Sequence, residues 1–326
     1  MRSTPWSIPA SGSSDVHPLV WVAAAVLTTL VCGAVARAGD ADSGSPWRIA
    51  VTRLRDNHAA FLALCVIVAL LVVAALAPWL APYSPIAQPD IVRLKNLPPS
   101  LAHPFGTDFA SRDVFSRALY GARVSLSVAL LAIVVSASVG TAYGAIAGYV
   151  GGRVDTIMMR LIDAALSVPR ILLLIAVLAL WAPVPLPVLI LLLGLTGWFG
   201  VSRVVRAQVL SLRDRDMVVA ARALGASDSQ ILWRHILPNV LSPVIVSITL
   251  GIANVLIVEA GLSYLGVGVR PPAASWGNMI LDGADAIASL WWISTFPGLA
   301  IVVTVMAFNL LGDGLRDALD PRQVDG

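Results

Sequence analysis

Long apolar stretches alternate with short polar ones along this chain. The apolar runs are Leu19–Ala36, Ala59–Leu80, Ser125–Tyr149, Ala164–Trp181, Leu186–Val205, Val240–Tyr264 and Trp291–Leu311. A helix of about 20 apolar residues crosses the roughly 30 Å hydrocarbon layer of a bilayer. The pattern therefore predicts an all-α integral membrane protein: a core of six crossings from Ala59 onward, plus one extra N-terminal transmembrane helix at Leu19–Ala36. A secretion signal is the alternative for Leu19–Ala36, because Arg2 precedes it. Against that, its polar lead is long and AVARAGDA fits a cleavage site only loosely. Prolines punctuate the pattern. Pro78, Pro82 and Pro85 mark the exit of the Ala59–Leu80 run. Pro169 predicts a kink in the Ala164–Trp181 run. PVPLP at 183–187 reads as a tight turn, GGRVDTIMMR as another, and residues 81–123 as a segment too polar to span.

One polar stretch does not look like a mere connection. Residues 216–238 read DMVVAARALGASDSQILWRHILP. Ala220, Ala221 and Ala223 predict a thin helix, which Gly225 breaks by adopting positive φ without a side-chain clash. Ser227 is a good N-cap for a second short helix, to about His235, and Gln230 three residues on completes a capping box. Leu237-Pro238 closes it. Leu224, Ile231 and Trp233 are apolar groups that a solvated loop has little use for. They predict contacts to a partner protein.

Charge orients the chain. Arg48, Arg53 and Arg55 precede the second apolar run, Arg153 and Arg160 flank the fourth, and Arg203, Arg206, Arg213, Arg215, Arg222 and Arg234 crowd around the 216–238 stretch, six bases against three acids. Basic residues stay on the cytoplasmic side, so this stretch and the C-terminal tail are expected there. Residues 81–123 then fall outside with five bases against three acids, which strains the rule. Local pairing of Asp108, Arg112 and Asp113 is expected to relieve it.

Composition narrows the function. The chain is 58% hydrophobic and 13% charged, against about 25% charge in soluble domains. The net charge of +3 and the absence of an aromatic-plus-basic stripe exclude nucleic acid as a partner and leave the lipid bilayer. Cys32 and Cys65 lie in apolar runs and read as small buried hydrophobes. The histidines have no metal-ligand spacing. Lys95 is the single lysine, and no Gly-Lys pair exists for a phosphate-binding loop. The chain is therefore expected to have no enzyme activity and no cofactor; transport energy must come from a partner or an ion gradient.

Other residues carry two readings each. Glu259, with Asn254 five residues before it, is an acid inside an apolar crossing, either a translocation-path or gate residue or a hydrogen-bonded lock between helices. Asp163 is expected to pair with Arg160 or Arg170. Gly140, Gly144 and Gly148 have the spacing that lets helices approach closely, within this chain or with a second subunit. Pro271, Pro272 and Trp276 stiffen an external loop, as a docking face or as a packed cap. Asp313, Arg316, Asp317 and Asp320 either meet a partner or are solvated.

The stretch AA-x3-G formed by Ala220, Ala221 and Gly225, followed thirteen residues after the glycine by Pro238 in Leu237-Pro238, resembles the EAA loop of ABC-importer permeases. Val219 stands where the family has Glu, and His235 where it has Ile, so shape rather than an acidic contact is expected to carry docking. HPFGTDFASRDVFSRALYGARVSL, EAGLSYLGVGVRPPAASWGNM, NLLGDGLRDALDPR and the helix before a Pro-rich external segment are similar to the C-type subunit of the dipeptide/oligopeptide/nickel class. The resemblance covers about residues 50–322. It implies an N-terminal extension over 1–47, a first core helix with external segment over 48–123, a permease core over 124–316 with a cytoplasmic coupling loop at 206–238, and a cytoplasmic tail over 317–326. It further implies a second permease subunit, two cytoplasmic ATPase subunits holding ATP and Mg, an extracytoplasmic solute-binding protein and a bacterial cytoplasmic membrane. Peptides, nickel complexes and glutathione-like solutes all fit as cargo. An ion-coupled secondary transporter working through Glu259 and Asp163 is the competing reading.

Overall fold

The computed structural model describes residues 46–180 and 184–319, so the expected helix at Leu19–Ala36 lies outside the described residues. Helices run in the order α1 Pro46–Asp56, α2 His58–Leu80, α3 Val114–Val150, α4 Gly152–Leu166, α5 Arg170–Leu180, α6 Leu186–Leu212, α7 Asp216–Ala223, α8 Asp228–Ile231, α9 Leu237–Tyr264, α10 Trp276–Ala284 and α11 Trp291–Leu319. Among the described residues, α2, α3, α6, the α8–α9 stretch and α11 are each long and apolar enough to cross a membrane. The α4–α5 pair, bent by 72°, makes a sixth if it counts as one span.

Several boundaries differ from the sequence expectation. α3 begins at Val114, eleven residues before the apolar run, because Asp113 caps it by accepting from the Ser116 N–H at 2.8 Å. The polar residues of its first turns, Ser116 and Arg117, are buried against the segment before the helix and the α10 region rather than solvated. GGRVDTIMMR is not a short turn but the start of α4. The break falls at Ser167–Pro169, since proline lacks an N–H and disfavours helical φ/ψ in the residue before it. Pro78 sits inside the last turn of α2, where the helix has only a few bonds left to lose, so Pro82 and Pro85 alone lie beyond the exit.

The second island helix does not close at Leu237-Pro238. It passes through a wide π-type turn, Leu232–Ile236, straight into α9, with the Leu237 N–H donating to Leu232 O five residues back. The wider turn puts Pro238 at the start of α9, where a missing N–H costs little. The C-terminal stretch is also helical as far as Leu319. Gly314 abuts Ala60, so close that an added Cβ would stand 2.2 Å from the Ala60 Cβ, and Ala318 is buried. This part of the tail packs on α1 and α2.

The bundle is built around α3, and its most extensive contact is with α6. Gly140, Gly144 and Gly148 bring α3 against the backbone of Trp198, Ser202 and Arg206. The small-residue stripe therefore serves packing inside this chain. From α6, Gly194 answers it by seating Val135 and the carbonyl of Ala132. Cys65 is free and exposed rather than buried.

Candidate functional site

The 216–238 segment folds as two helical pieces around a tight break. α7 ends in a Schellman cap: the Gly225 N–H donates to Arg222 O at 3.0 Å and the Ala226 N–H to Ala221 O at 3.1 Å. Gly225 takes φ +86°, as the cap requires. Ser227 then caps α8, its hydroxyl accepting from the Gln230 N–H at 3.3 Å while Gln230 Oε1 accepts from the Ser227 N–H at 2.9 Å. Beneath lies a small core of Val218, Ala221, Ile231 and Ile236 packed on Val205, Val209 and Val240. The segment is tied to the end of α3 by Tyr149, whose hydroxyl donates to Asp228 at 2.6 Å, and by Arg213, which donates to Gly148 O at 3.2 Å. Arg206 forks onto Asp155 of α4 alongside.

This geometry divides the expected docking residues. Leu224 is 89% exposed and Trp233 71% exposed. Ala220, Gly225 and Pro238 also face outward, and Leu237 is half-buried. Ile231 is fully buried and Ala221 nearly so, which makes them the internal support of the loop and corrects the reading of Ile231 as a docking contact. Met217 and Val219 are also exposed apolar residues, though neither was expected among the apolar docking contacts. A signal for Met217 was there: Met217, Ala220 and Leu224 recur at i, i+3, i+7, while Val218 and Ala221 form a second stripe one position on. Two apolar stripes on one short helix mean that one faces the core and the other faces something else.

Asn254 and Glu259 part company. Five residues at about 100° each place them roughly 140° apart around α9. Asn254 lines a cavity of about 380 Å³ between α3, α5, α6 and α9. Glu259 is fully buried elsewhere, where it accepts from Ser125 of α3 at 3.0 Å and from Ser263 at 2.8 Å. Ser125 accepts in turn from the Trp276 N–H at 3.2 Å, and Ser263 from the Val269 N–H at 3.0 Å. The carboxylate thus locks α3, α9 and the start of α10 together. Removing the acceptor strands two buried hydroxyls at about 1–3 kcal/mol each. Glu259→Ala is therefore expected to lower the melting temperature of the purified protein markedly and Glu259→Gln less, as read by thermal denaturation in detergent.

The end of the bundle opposite the 216–238 segment is closed by a charged cap. Arg112 pairs with Asp108 at 2.6 Å, as expected. Asp113 pairs instead with His103 at 2.9 Å. Asp282, 165 residues from Arg117 in sequence, accepts from it at 2.9 Å and from Arg112 at 3.3 Å. Burial pushes the Asp282 carboxyl above its ordinary range, against the pull of Arg117 and Arg112. Trp276 is buried with its Nε1–H donating to Ala118 O at 3.0 Å, so it belongs to the packed cap and not to an exposed docking face. Trp276→Ala is expected to cost about 3–5 kcal/mol, measured as a lowered denaturation midpoint. Asp163 pairs with Arg203 at 2.6 Å rather than with Arg160 or Arg170.

Comparison with known proteins places the segment in a wider context. Residues 140–325 match the family model described as binding-protein-dependent transport system inner membrane component. Residues 45–99 match that of the N-terminal TM domain of oligopeptide transport permease C. The chain is 43% identical over 277 residues to the dipeptide transport system permease protein DppC of Bacillus subtilis (strain 168), covering 85% of this chain and 84% of the relative. It is 40% identical over 294 residues to the oligopeptide transport system permease protein OppC of the same organism, covering 89% and 95%. A putative peptide transport system permease protein of Brucella suis biovar 1 (strain 1330) is 43% identical over 285 residues, covering 86% and 94%.

Proposed function

Because the chain belongs to the family of binding-protein-dependent transport inner-membrane components, we propose that it is the C-type permease subunit of an ATP-driven importer of di- or oligopeptides. The relatives named above are peptide permeases by name, which supports that cargo over nickel complexes or glutathione-like solutes. A second permease subunit completes the channel in a bacterial cytoplasmic membrane, and an extracytoplasmic binding protein delivers the peptide. Two ATPase subunits carrying ATP and Mg dock on the segment over 216–238, within the permease core over 124–316.

The observation that carries this reading is the outward apolar face of that segment. Leu224 and Trp233 stand exposed on a frame rigidified by a Schellman cap, a capping box and a buried core of its own. A solvated loop has no need for a rigid frame beneath exposed Leu and Trp. A push on this frame passes without slack into α9, because α8 runs into it through the π-type turn. α9 in turn lines the cavity that it shares with α3, α5 and α6, so tilting it reshapes that cavity and changes access from one side to the other. The ion-coupled alternative loses its two acids: Asp163 is held by Arg203 and Glu259 by serines, and neither is among the residues lining the cavity.

The test is reconstitution of the subunit in proteoliposomes with its partner permease and binding protein, with and without the ATPases, followed by uptake of labelled dipeptide. Uptake is expected only with the ATPases and ATP. Uptake that persists without them overturns the reading, and competition by nickel or glutathione but not by peptide reassigns the cargo.

A further inference from the structure

The cavity between α3, α5, α6 and α9 is lined by a cation that has no acidic partner among the described residues. Arg170 begins α5 and lines the cavity. Its Nε donates to Thr196 Oγ1 at 3.2 Å and its Nη2 to Leu193 O at 2.9 Å. Both are neutral acceptors. The neighbouring acids are engaged elsewhere, Asp163 by Arg203 and Asp155 by Arg206, and among the described residues no carboxylate lies within ion-pair distance of Arg170. Thr196 is ten residues into α6 and Asn254 ten residues from the end of α9. At about 1.5 Å per residue both stand some 15 Å from their helix ends, near the middle of the bilayer. An unpaired guanidinium at that depth is expensive, and groups of this kind mark ligand pathways.

A second observation points to the same place. Ser136 of α3 lines the cavity, is 1% exposed, and its hydroxyl has no hydrogen-bond partner. The hydroxyl and Arg170 Nη2 converge over Gly197: each lies 3.2 Å from where a Cβ on that residue would stand. Gly197 therefore leaves a cradle open between a charged donor and an unsatisfied hydroxyl. Asn254 adds an amide on the α9 wall. A guanidinium bonded only to neutral acceptors and a hydroxyl without a partner, arranged around a bare glycine, fit a carboxylate.

We propose that Arg170, Ser136 and Asn254 form a mid-membrane site that takes the C-terminal carboxylate of the peptide in transit. The proposal rests on the peptide reading above. The substrate's charge and the guanidinium offset each other's burial, so the peptide crosses the middle of the bilayer paired rather than bare. Arg170 meanwhile keeps its bonds to α6, which holds the guanidinium in place when the site is empty.

The assembled transporter without its binding protein is melted in millimolar dialanine or in the same concentration of dialanine amide. Ligand that binds only the folded state raises the melting temperature. The free acid is expected to raise it and the amide not. The rise is expected to vanish in Arg170→Gln, to survive in part in Arg170→Lys, and to fall in Gly197→Ala, which fills the cradle but keeps the charge. The melting temperature without ligand controls for folding; if Arg170→Gln does not assemble, Gly197→Ala and Arg170→Lys decide. Equal shifts for acid and amide, no shift with either, or a shift indifferent to these substitutions overturns the site. Wild-type uptake of dialanine is measured in parallel. Normal uptake with any of those outcomes removes the site alone, whereas a wild-type complex that imports no peptide removes the peptide reading as well.

Discussion

Gly144→Leu is expected to abolish the folded protein. An added Cβ at Gly144 would stand 2.3 Å from Ser202 O and 2.9 Å from the Val205 Cβ. The first contact is backbone, so no rotamer change relieves it. Only separation of α3 and α6 does, and that is the most extensive interface in the bundle. A Cβ added at Gly140 or Gly148, one turn away on either side, would likewise stand 2.8 Å from Trp198 O or 2.9 Å from Arg206 O, so the whole stripe opens together. Overpacking a well-filled core typically costs about 1–3 kcal/mol; forcing apart two helix backbones in contact along three turns belongs at or beyond the top of that range. Gly144→Ala is expected to be intermediate. Gly298→Ala is the control, because nothing lies within 4 Å of its added Cβ. It is expected to be neutral or slightly stabilising, by up to about 1 kcal/mol. Membrane-fraction yield and size-exclusion profile in detergent provide the measurement. Wild-type yield and profile for Gly144→Leu contradict the role assigned to the stripe.

Leu224→Asp is expected to uncouple the transporter without unfolding it. The side chain is 89% exposed, so the isolated subunit loses almost no packing. Buried in a partner's groove, a leucine is worth about 1.5–3 kcal/mol, and an unpaired aspartate in its place adds a desolvation cost. At 1.4 kcal/mol per factor of ten, ATPase binding is expected to weaken by at least one order of magnitude. Co-purification of the ATPases and ATP-driven uptake fall together, while yield and melting temperature of the permease hold. Ile231→Asp should behave oppositely, since Ile231 is buried under the loop: the subunit itself loses stability. Gly225→Val lies between the two. Open space surrounds its Cβ, so its cost is the strain of φ +86° in a β-branched residue, about 1–3 kcal/mol. Unchanged ATPase co-purification and uptake in Leu224→Asp exclude this face from docking.

Much of this was legible in sequence because the membrane restricts the possibilities. Backbone groups have no water to bond to in hydrocarbon, so each long apolar run has to be a helix. The Ser227–Gln230 capping box and the positive φ at Gly225 were equally readable, because caps are local chemistry. Boundaries were less so. The run from Val114 to Val124 is polar enough to look like a loop, yet it is helical because Arg117 meets Asp282, a residue that no local pattern connects to it. The continuation of α8 into α9 was hidden for a similar reason: a proline ordinarily signals a stop, and here the π-type turn ahead of it places it at a helix start.

The sequence by itself determined a multi-span helical membrane protein, its lack of a phosphate-binding lysine motif, and a capped, glycine-broken segment with apolar residues to spare. Each follows from composition or from interactions within a few residues. Tertiary structure alone decided the faces. It turned Ile231 inward and left Leu224 outward, sent Glu259 to a serine-lined lock and Asn254 to the cavity, and matched the Gly140–Gly148 stripe to a helix of the same chain. It also left Arg170 in the cavity with no acid beside it among the described residues. A side chain's partner depends on which elements meet it in space, and in a helical bundle those elements lie tens to hundreds of residues apart. The segment over 216–238 shows both parts at once: its shape is written in its own residues, and its outward surface is set by the helices beneath it.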